Sequence, residues 1–589
     1  MKKNIGLYAG VWIAVVSVYL YPYFLTFLKI GYGEIPPLFD SDLYLYMNFS
    51  LLPISNGEIT SPWYGDTINA AAWAYRKFDL SFMVFRFFSS LCGGDLTCAM
   101  LVWTVFWVSV IFWAALWLFL EIAGEERKLL IVFSLLFLFF VRVPELSNIL
   151  KMWLSFFHID DKTVVNLTFS RAFFPQASVV FLFLYLYFLI KTLKKSKLSF
   201  WLVLAIVQFL ALKTFPYLLM ILAFMTFLAV VFYFFTEREK LKISHIVLYA
   251  ALCAVLDLGY LILTGHTESA GMKTAIIDVD FSRLKYFFKG SMILAIILTS
   301  LIAFIKPKSS YASKIAVLSL GISYIALTFS HAFFSPALQI ENHIYYFAST
   351  IFAIEIFYLL VQIDAYLTIS ENIKKALGYA ALAAVFAQGV MASHSHYKRY
   401  YAENSINYEI FKEIKKLGCD RDTLIITPSF VPSLISPISF ALKCESEILY
   451  HPDAHFLSSK EKGKDTHKIR EAIYYYLRGK DEKWIESVWD PKTDWRVQYD
   501  LVIPALRLYL RDKNREKFLK MKKEEAKFYY KTYVEDEKRL HMFFRKYKRV
   551  VLADFKKDPF FKKDRVDKVL TPLKKEESER MNFYVMEPK

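Results

Sequence analysis

Charge is scarce where this chain is longest. The first 393 of its 589 residues carry only 29 Lys and Arg and 23 Asp and Glu, too few to solvate a surface of that length. Cysteine is scarce as well: five in the whole chain rules out a small disulfide-stapled scaffold. The sequence has no Gly-rich phosphate loop, no internal repeat, no collagen-like period and no low-complexity linker. Disorder is excluded by composition. Hydrophobic residues reach 56%, with 55 Phe and 38 Tyr, against roughly 45–50% in ordinary globular chains.

The missing charge is found at the other end. From His394 onward there are 43 basic and 32 acidic residues in one third of the length. The expected organisation is a polytopic α-helical membrane protein over residues 1–393, followed by a water-soluble α/β domain over 394–589. His394-Ser395-His396 reads as a solvated connector between them.

A hydrocarbon core of about 30 Å takes roughly 20 mostly apolar residues per helix. About eleven stretches qualify: Ile5–Leu28, Ala99–Leu120, Leu129–Val141, Ala172–Ile190, Phe200–Leu212, Phe215–Phe235, His245–Leu263, Ser291–Ile305, Ile315–Ser330, His343–Gln362 and Ala376–Ala392. Leu146–Phe157 is too short to span and reads as an interfacial or re-entrant piece. The opening run is too long for a signal peptide and has no small-residue cleavage site, so it is expected as an uncleaved first span. Lys2/Lys3, Arg127/Lys128, Lys191/Lys194/Lys195/Lys197, Arg238/Lys240/Lys242, Lys306/Lys308/Lys314 and Lys374/Lys375 all fall on one side of this register. By the positive-inside rule that side is the cytoplasm. An odd number of spans then sends the carboxyl-terminal domain outside, with a long first external loop over residues 29–97. In the soluble third, strand-like runs are Thr423–Ile426, Tyr499–Ile503, Val550–Ala553 and Asn582–Met586. Helical stretches lie around Lys468–Arg478, Ala505–Arg511 and Arg515–Val534.

Cys92, Cys98, Cys419 and Cys444 fall on the expected outer side, where they either form two bridges or fill space as buried thiols. Asp40 and Asp42, in Phe39-Asp40-Ser41-Asp42, can share a divalent cation such as Mg or Mn through oxygen ligands. Alternatively one acts as general base while the other positions it, or both simply cap a helix. Arg171 has the fork geometry for a phosphate, and Gln176, one turn deeper, needs a partner in lipid. Lys213 is a second outer-side cation. His331, Glu341 and His343 flank one short outer loop, where an acid beside a histidine suits proton transfer or head-group binding. Asp160-Asp161 in the second outer loop reads as a solvated turn or as further metal ligands. Asp257 and Glu355 are the main ionisable residues expected deep within spans. The basic residues of the last third are interleaved with acids, so they read as a solvated surface or a face against lipid head groups and not as a nucleic-acid site.

This layout resembles the GT-C superfamily of integral membrane glycosyltransferases, with an inside amino terminus, a long first external loop holding Asp40-Ser41-Asp42 and an external carboxyl-terminal domain. Ser170-Arg171-Ala172-Phe173-Phe174-Pro175-Gln176 and Tyr474-Tyr475-Tyr476-Leu477-Arg478-Gly479 look like runs of its bacterial relatives. The resemblance implies an inverting transfer of a sugar from a polyprenyl-phosphate donor to a glycan, lipid or protein acceptor on the outer face of the plasma membrane. It places Asp40 and Asp42 at the catalytic position and Arg171 and Lys213 at the donor phosphate. Gln176, His331, Glu341 and His343 are left for substrate. A clear second acidic motif of the metal-dependent kind is missing, unless Asp160-Asp161 supplies it. Three other readings stay open: a lipid-linked glycan polymerase or ligase, a non-enzymatic transporter or flippase of lipid-linked substrates, and a non-catalytic assembly protein with the outer domain as its binding surface.

Overall fold

The computed structural model describes residues 4–32, 54–55, 58–59, 79–154, 165–170, 176–237, 241–264, 279, 290–308, 310–330, 333, 344–366, 370–418, 420–428, 446–450, 460–461, 464–494, 498 and 515–589. The chain divides into two compact units, Met1–Leu38 with Phe78–Arg399, and Phe39–Lys77 with Tyr400–Lys589.

The first unit is helical because its apolar sequence must satisfy every backbone polar group internally once it is away from water. Among the described residues seven helices are long and apolar enough to cross a membrane: Ile5–Ile30, Leu96–Ala123, Gln176–Lys195, Pro216–Glu237, Tyr311–Phe329, Tyr345–Tyr366 and Glu371–Arg399. Lys128–Phe140 and Val143–Lys151 form a pair bent by 66°, which makes eight if the pair is one span. The chain is thus a polytopic helical protein. Of the eleven expected spans, Phe200–Leu212, His245–Leu263 and Ser291–Ile305 appear as the shorter apolar helices Leu198–Thr214, Ile243–Leu258 and Ser291–Phe304. Even 17 residues cover only about 26 Å as a straight helix, less than a typical hydrocarbon core. Leu80–Leu91, which had been expected in a loop, is also an apolar helix, started by Asp79, whose carboxylate accepts from Ser81 N and Phe82 N.

Two breaks in helical hydrogen bonding are repaired from elsewhere in the sequence. Pro22 lies inside Ile5–Ile30 and has no N–H to give Val18. Ser393 Oγ donates to that Val18 carbonyl at 2.7 Å. After Phe140 the chain leaves the helix, and Tyr19 OH donates to Phe139 O at 3.1 Å while accepting from Phe169 N. Ser349 Oγ donates to Val141 O at 3.4 Å and accepts from Val143 N at 3.2 Å. Irregular backbone at this depth is tolerated because protein supplies its partners.

The expected connector at His394-Ser395-His396 is corrected here. These residues are helical, within the single helix Glu371–Leu417. Ser395 and His396 are buried, and Ser395 Oγ accepts from Val165 N at 3.2 Å. The polar run ends the apolar stretch without ending the helix: Ser395 meets neighbouring backbone and His394 packs between the Tyr21 and Tyr397 rings.

In the second unit a five-stranded mixed sheet is built from β1 (Thr423–Ile426), β2 (Glu447–Ile448), β3 (Arg549–Phe555), β4 (Leu570–Glu577) and β5 (Met581–Pro588). Their spatial order is β2-β1-β3-β5-β4. β1 pairs parallel with β2 and β3, and β5 pairs antiparallel with β3 and β4. Helices Thr466–Leu477, Arg515–Tyr530 and Glu537–Phe544 contribute to its core through Ile473, Tyr474, Leu519, Leu540 and Phe544. The expected strands at Tyr499–Ile503 and the helix at Ala505–Arg511 lie outside the described residues.

Candidate functional site

Opposite ends of the first unit differ in chemistry. At one end loop cations expected to share a side find acidic partners on neighbouring helices, and the main chain at other basic positions is tied to side chains there. Glu121, at the end of Leu96–Ala123, takes both Lys191 at 2.5 Å and Lys194 at 2.7 Å. Asp364 takes Arg127 at 3.0 Å and Lys374 at 3.3 Å. Lys308 N donates to Gln362 Oε1, Tyr366 OH donates to Lys306 O, and Lys242 N donates to Ser196 Oγ. The basic helix ends expected on one side therefore lie together.

The far ends of the same helices hold a different set. Cys92 and Cys98 form a disulfide between Leu80–Leu91 and Leu96–Ala123. Gln176 starts its helix fully buried and accepts from Trp103 Nε1 at 2.9 Å, which supplies the partner its depth requires. Lys213, half-buried at the end of Leu198–Thr214, acts electrostatically on the buried Asp79 and lies 6.0 Å from the Phe209 ring centre. Two residues on, Phe215 packs on Phe347 with ring centres 5.8 Å apart. Next to Phe347, Tyr345 is close enough for the charges of Arg142 and Glu145 to act on it. Arg142 Nη1 donates to Glu145 Oε1 at 2.8 Å, and Glu145 also accepts from the backbone and side-chain nitrogens of Asn166 at 2.9 and 3.1 Å. An ion pair with further hydrogen bonds on the same carboxylate is a preorganised polar patch, held by the break between the bent helices.

Of the expected site residues, Lys213 and Gln176 are at this end, and both belong to helices linked to Leu80–Leu91 or Leu96–Ala123. Asp40, Asp42, Asp160, Asp161, Arg171, His331, Glu341, His343, Cys419 and Cys444 lie outside the described residues. Among the described residues no three or more His, Cys, Asp or Glu side chains are grouped so as to hold a metal ion. Arg142, Glu145 and Trp103 were missed. The available signal for the first two was Arg142-Val143-Pro144-Glu145, opposite charges three apart across a proline that closes an apolar run.

Two carboxylates lie within the apolar helices, as expected. Asp257 sits in a π-helical turn, Ala254–Leu258, and accepts from Gln208 Nε2 at 2.7 Å. Gln208 Oε1 in turn accepts from Tyr249 OH at 2.6 Å and Tyr185 OH at 3.2 Å, and Tyr185 also meets Thr226 Oγ1 at 2.5 Å. Glu355 is fully buried and accepts from Thr299 Oγ1 at 2.8 Å. A Cβ at Gly321 would press on both Glu355 Oε1 and Thr299 Oγ1, so a larger residue there would displace this pair.

No family model matches the chain, and no curated protein matches it.

Proposed function

We propose that the chain is a GT-C-type membrane glycosyltransferase, moving a sugar from a polyprenyl-phosphate donor to an acceptor on the outer face of the plasma membrane. Asp40 takes the proton from the acceptor hydroxyl as that oxygen attacks the sugar carbon, and Asp42 orients Asp40. Arg171 and Lys213 neutralise the phosphate as the glycosidic bond to it breaks. His331, Glu341 and His343 hold the head group and sugar, while Gln176, expected to join them, is buried against Trp103 and supports the helix start instead.

The observation that carries this reading is the chemical polarity of the helical unit. Cations gather at one end, around Glu121 and Asp364. The Cys92–Cys98 bridge, Lys213 and the Arg142–Glu145–Asn166 patch belong to the other. A basic end fits the cytoplasm and a disulfide fits an oxidising outer compartment, so the polar end is the one available to an extracytoplasmic substrate.

Replacing Asp40 by Asn keeps the shape and removes the base. Membranes containing the variant at matched protein level should lose glycan transfer by about 100-fold or more. Unimpaired transfer would remove Asp40 from the mechanism.

A transporter of lipid-linked substrates is the second reading, and Asp257 and Glu355 favour it. Carboxylates inside apolar helices are costly and commonly mark transport pathways.

A further inference from the structure

Glu355 is fully buried near the middle of Tyr345–Tyr366, about 15 Å of helix from either end. Its Oε1 accepts from Thr299 Oγ1 at 2.8 Å, and among the described residues its Oε2 has no hydrogen-bond partner. Three helices meet here. Thr299 comes from Ser291–Phe304, and Gly321 of Tyr311–Phe329 brings bare backbone against both Glu355 Oε1 and Thr299 Oγ1. The carboxyl and the hydroxyl are seated in the slot that the glycine leaves open.

The pair lacks a counter-charge. Among the described residues no Lys, Arg or His acts on Glu355, either from Ser291–Phe304 and Tyr311–Phe329 or from Leu96–Ala123 and Lys128–Phe140, which also pack on this segment. The titratable group close enough to feel its charge is Tyr324, one turn along from Gly321. A carboxylate left bare among apolar helices costs more than the whole stability of a typical fold, and one neutral hydroxyl offsets little of that. A cation taken from solution removes the cost. A single negative charge matches a monovalent cation, whereas magnesium or calcium needs about six oxygen ligands.

We propose that the Glu355–Thr299 pair is a binding site for one monovalent cation, a proton or a sodium ion, halfway along its span. A proton sits on Oε2, the oxygen with no partner, and leaves Oε1 as the carbonyl to which Thr299 donates. A sodium ion uses Oε2 together with the lone pairs of Thr299 Oγ1. When the cation leaves, the carboxylate must draw in water or quit the Gly321 slot. Occupancy is therefore coupled to the packing of three helices. The inference goes beyond the sugar-transfer reading and does not rest on it.

The test is infrared difference spectroscopy of the full chain in lipid nanodiscs at neutral pH, after dialysis into sodium-free choline buffer. The unaltered chain should show the carbonyl stretch of a protonated carboxylic acid, shifted in heavy water. Glu355→Gln, which keeps the shape, should lose that band completely, and bands from other acids, Asp257 among them, cancel in the difference. Thr299→Val should move the band to higher frequency, because the carbonyl loses its hydrogen bond; this variant also guards against a folding defect in the first. Exchanging choline for sodium chloride separates the two occupants. A band that fades identifies sodium as a competitor, a band that stays identifies the proton as sole occupant, and both support the site. Carboxylate bands alone in the unaltered chain, identical acid bands in it and in Glu355→Gln, or a band unmoved in Thr299→Val would overturn the proposal.

Discussion

Away from the ion pairs at its two ends, the helical unit meets its backbone breaks with buried hydroxyls. Ser393 serves Val18 O, Tyr19 serves Phe139 O and Ser349 bridges the break at Val141 and Val143. In the second unit an ionic cluster lies within the core itself. Arg470, only 3% exposed, reaches Glu447 at 2.5 Å, Ile448 O at 2.7 Å and Tyr547 OH at 3.0 Å, joining a helix to the end of the sheet. The difference follows from the surroundings. An isolated charge among apolar helices costs too much to serve as a brace, whereas a hydroxyl repairs a carbonyl without carrying charge. Near water an ion cluster can be partly solvated and still fix the angle between elements.

The comparison breaks most visibly at Arg470. Arg470→Met should destabilise the second unit by about 2–4 kcal/mol, because Glu447 keeps its charge and is left with the Tyr547 hydroxyl alone. The double variant Arg470→Met/Glu447→Met should recover much of that in chemical denaturation of the full chain. Equal losses for single and double variants would mean the cluster does no more than fill space.

A smaller effect is expected in the helical unit. Ser393→Ala leaves Val18 O without a donor beside Pro22 and should cost about 1–3 kcal/mol, read as a lower Tm in nanodiscs. Pro22→Ala restores an N–H for that carbonyl, so the same serine substitution in a Pro22→Ala background should cost much less. Additive losses would contradict the repair.

The smallest effect sharpens the ionic side. Burial alone would raise the Glu525 carboxyl, but Lys468 and Lys522 outweigh it and hold the group below the ordinary carboxylate range. A carboxyl depressed in the folded state stabilises above its unfolded value, and that contribution disappears as pH falls through the folded one. The second unit should therefore lose stability as pH drops below the usual carboxylate range. Glu525→Gln should flatten that acid limb, measured as Tm against pH; an unchanged limb would remove Glu525 as its source.

The apolar helices could be read from composition, since runs such as Pro216–Glu237 carry too little charge for any other setting. Strands β1, β3 and β5 form where β-branched and aromatic runs predict them. β4 was missed because its central residues face solvent, so Lys574, Lys575, Glu576 and Glu577 hide the strand behind a charge run. The helix past Ala392 was missed because its polar residues are satisfied by distant backbone, which no local pattern reports. The candidate site was legible one residue at a time. Gln176 announced that it needed a partner, but only the fold identifies that partner as Trp103. The charge balance of Lys468, Glu471, Lys522 and Glu525 likewise requires two helices some 50 residues apart to meet.

The most direct test of the central claim is reconstitution of the purified full chain in proteoliposomes with a radiolabelled polyprenyl-phosphate sugar and an acceptor extract. The account predicts label covalently joined to acceptor, with free polyprenyl phosphate released in equal amount, and both lost in Asp40→Asn. Labelled lipid crossing the bilayer intact, with no new glycosidic bond, would contradict it and assign the chain to transport.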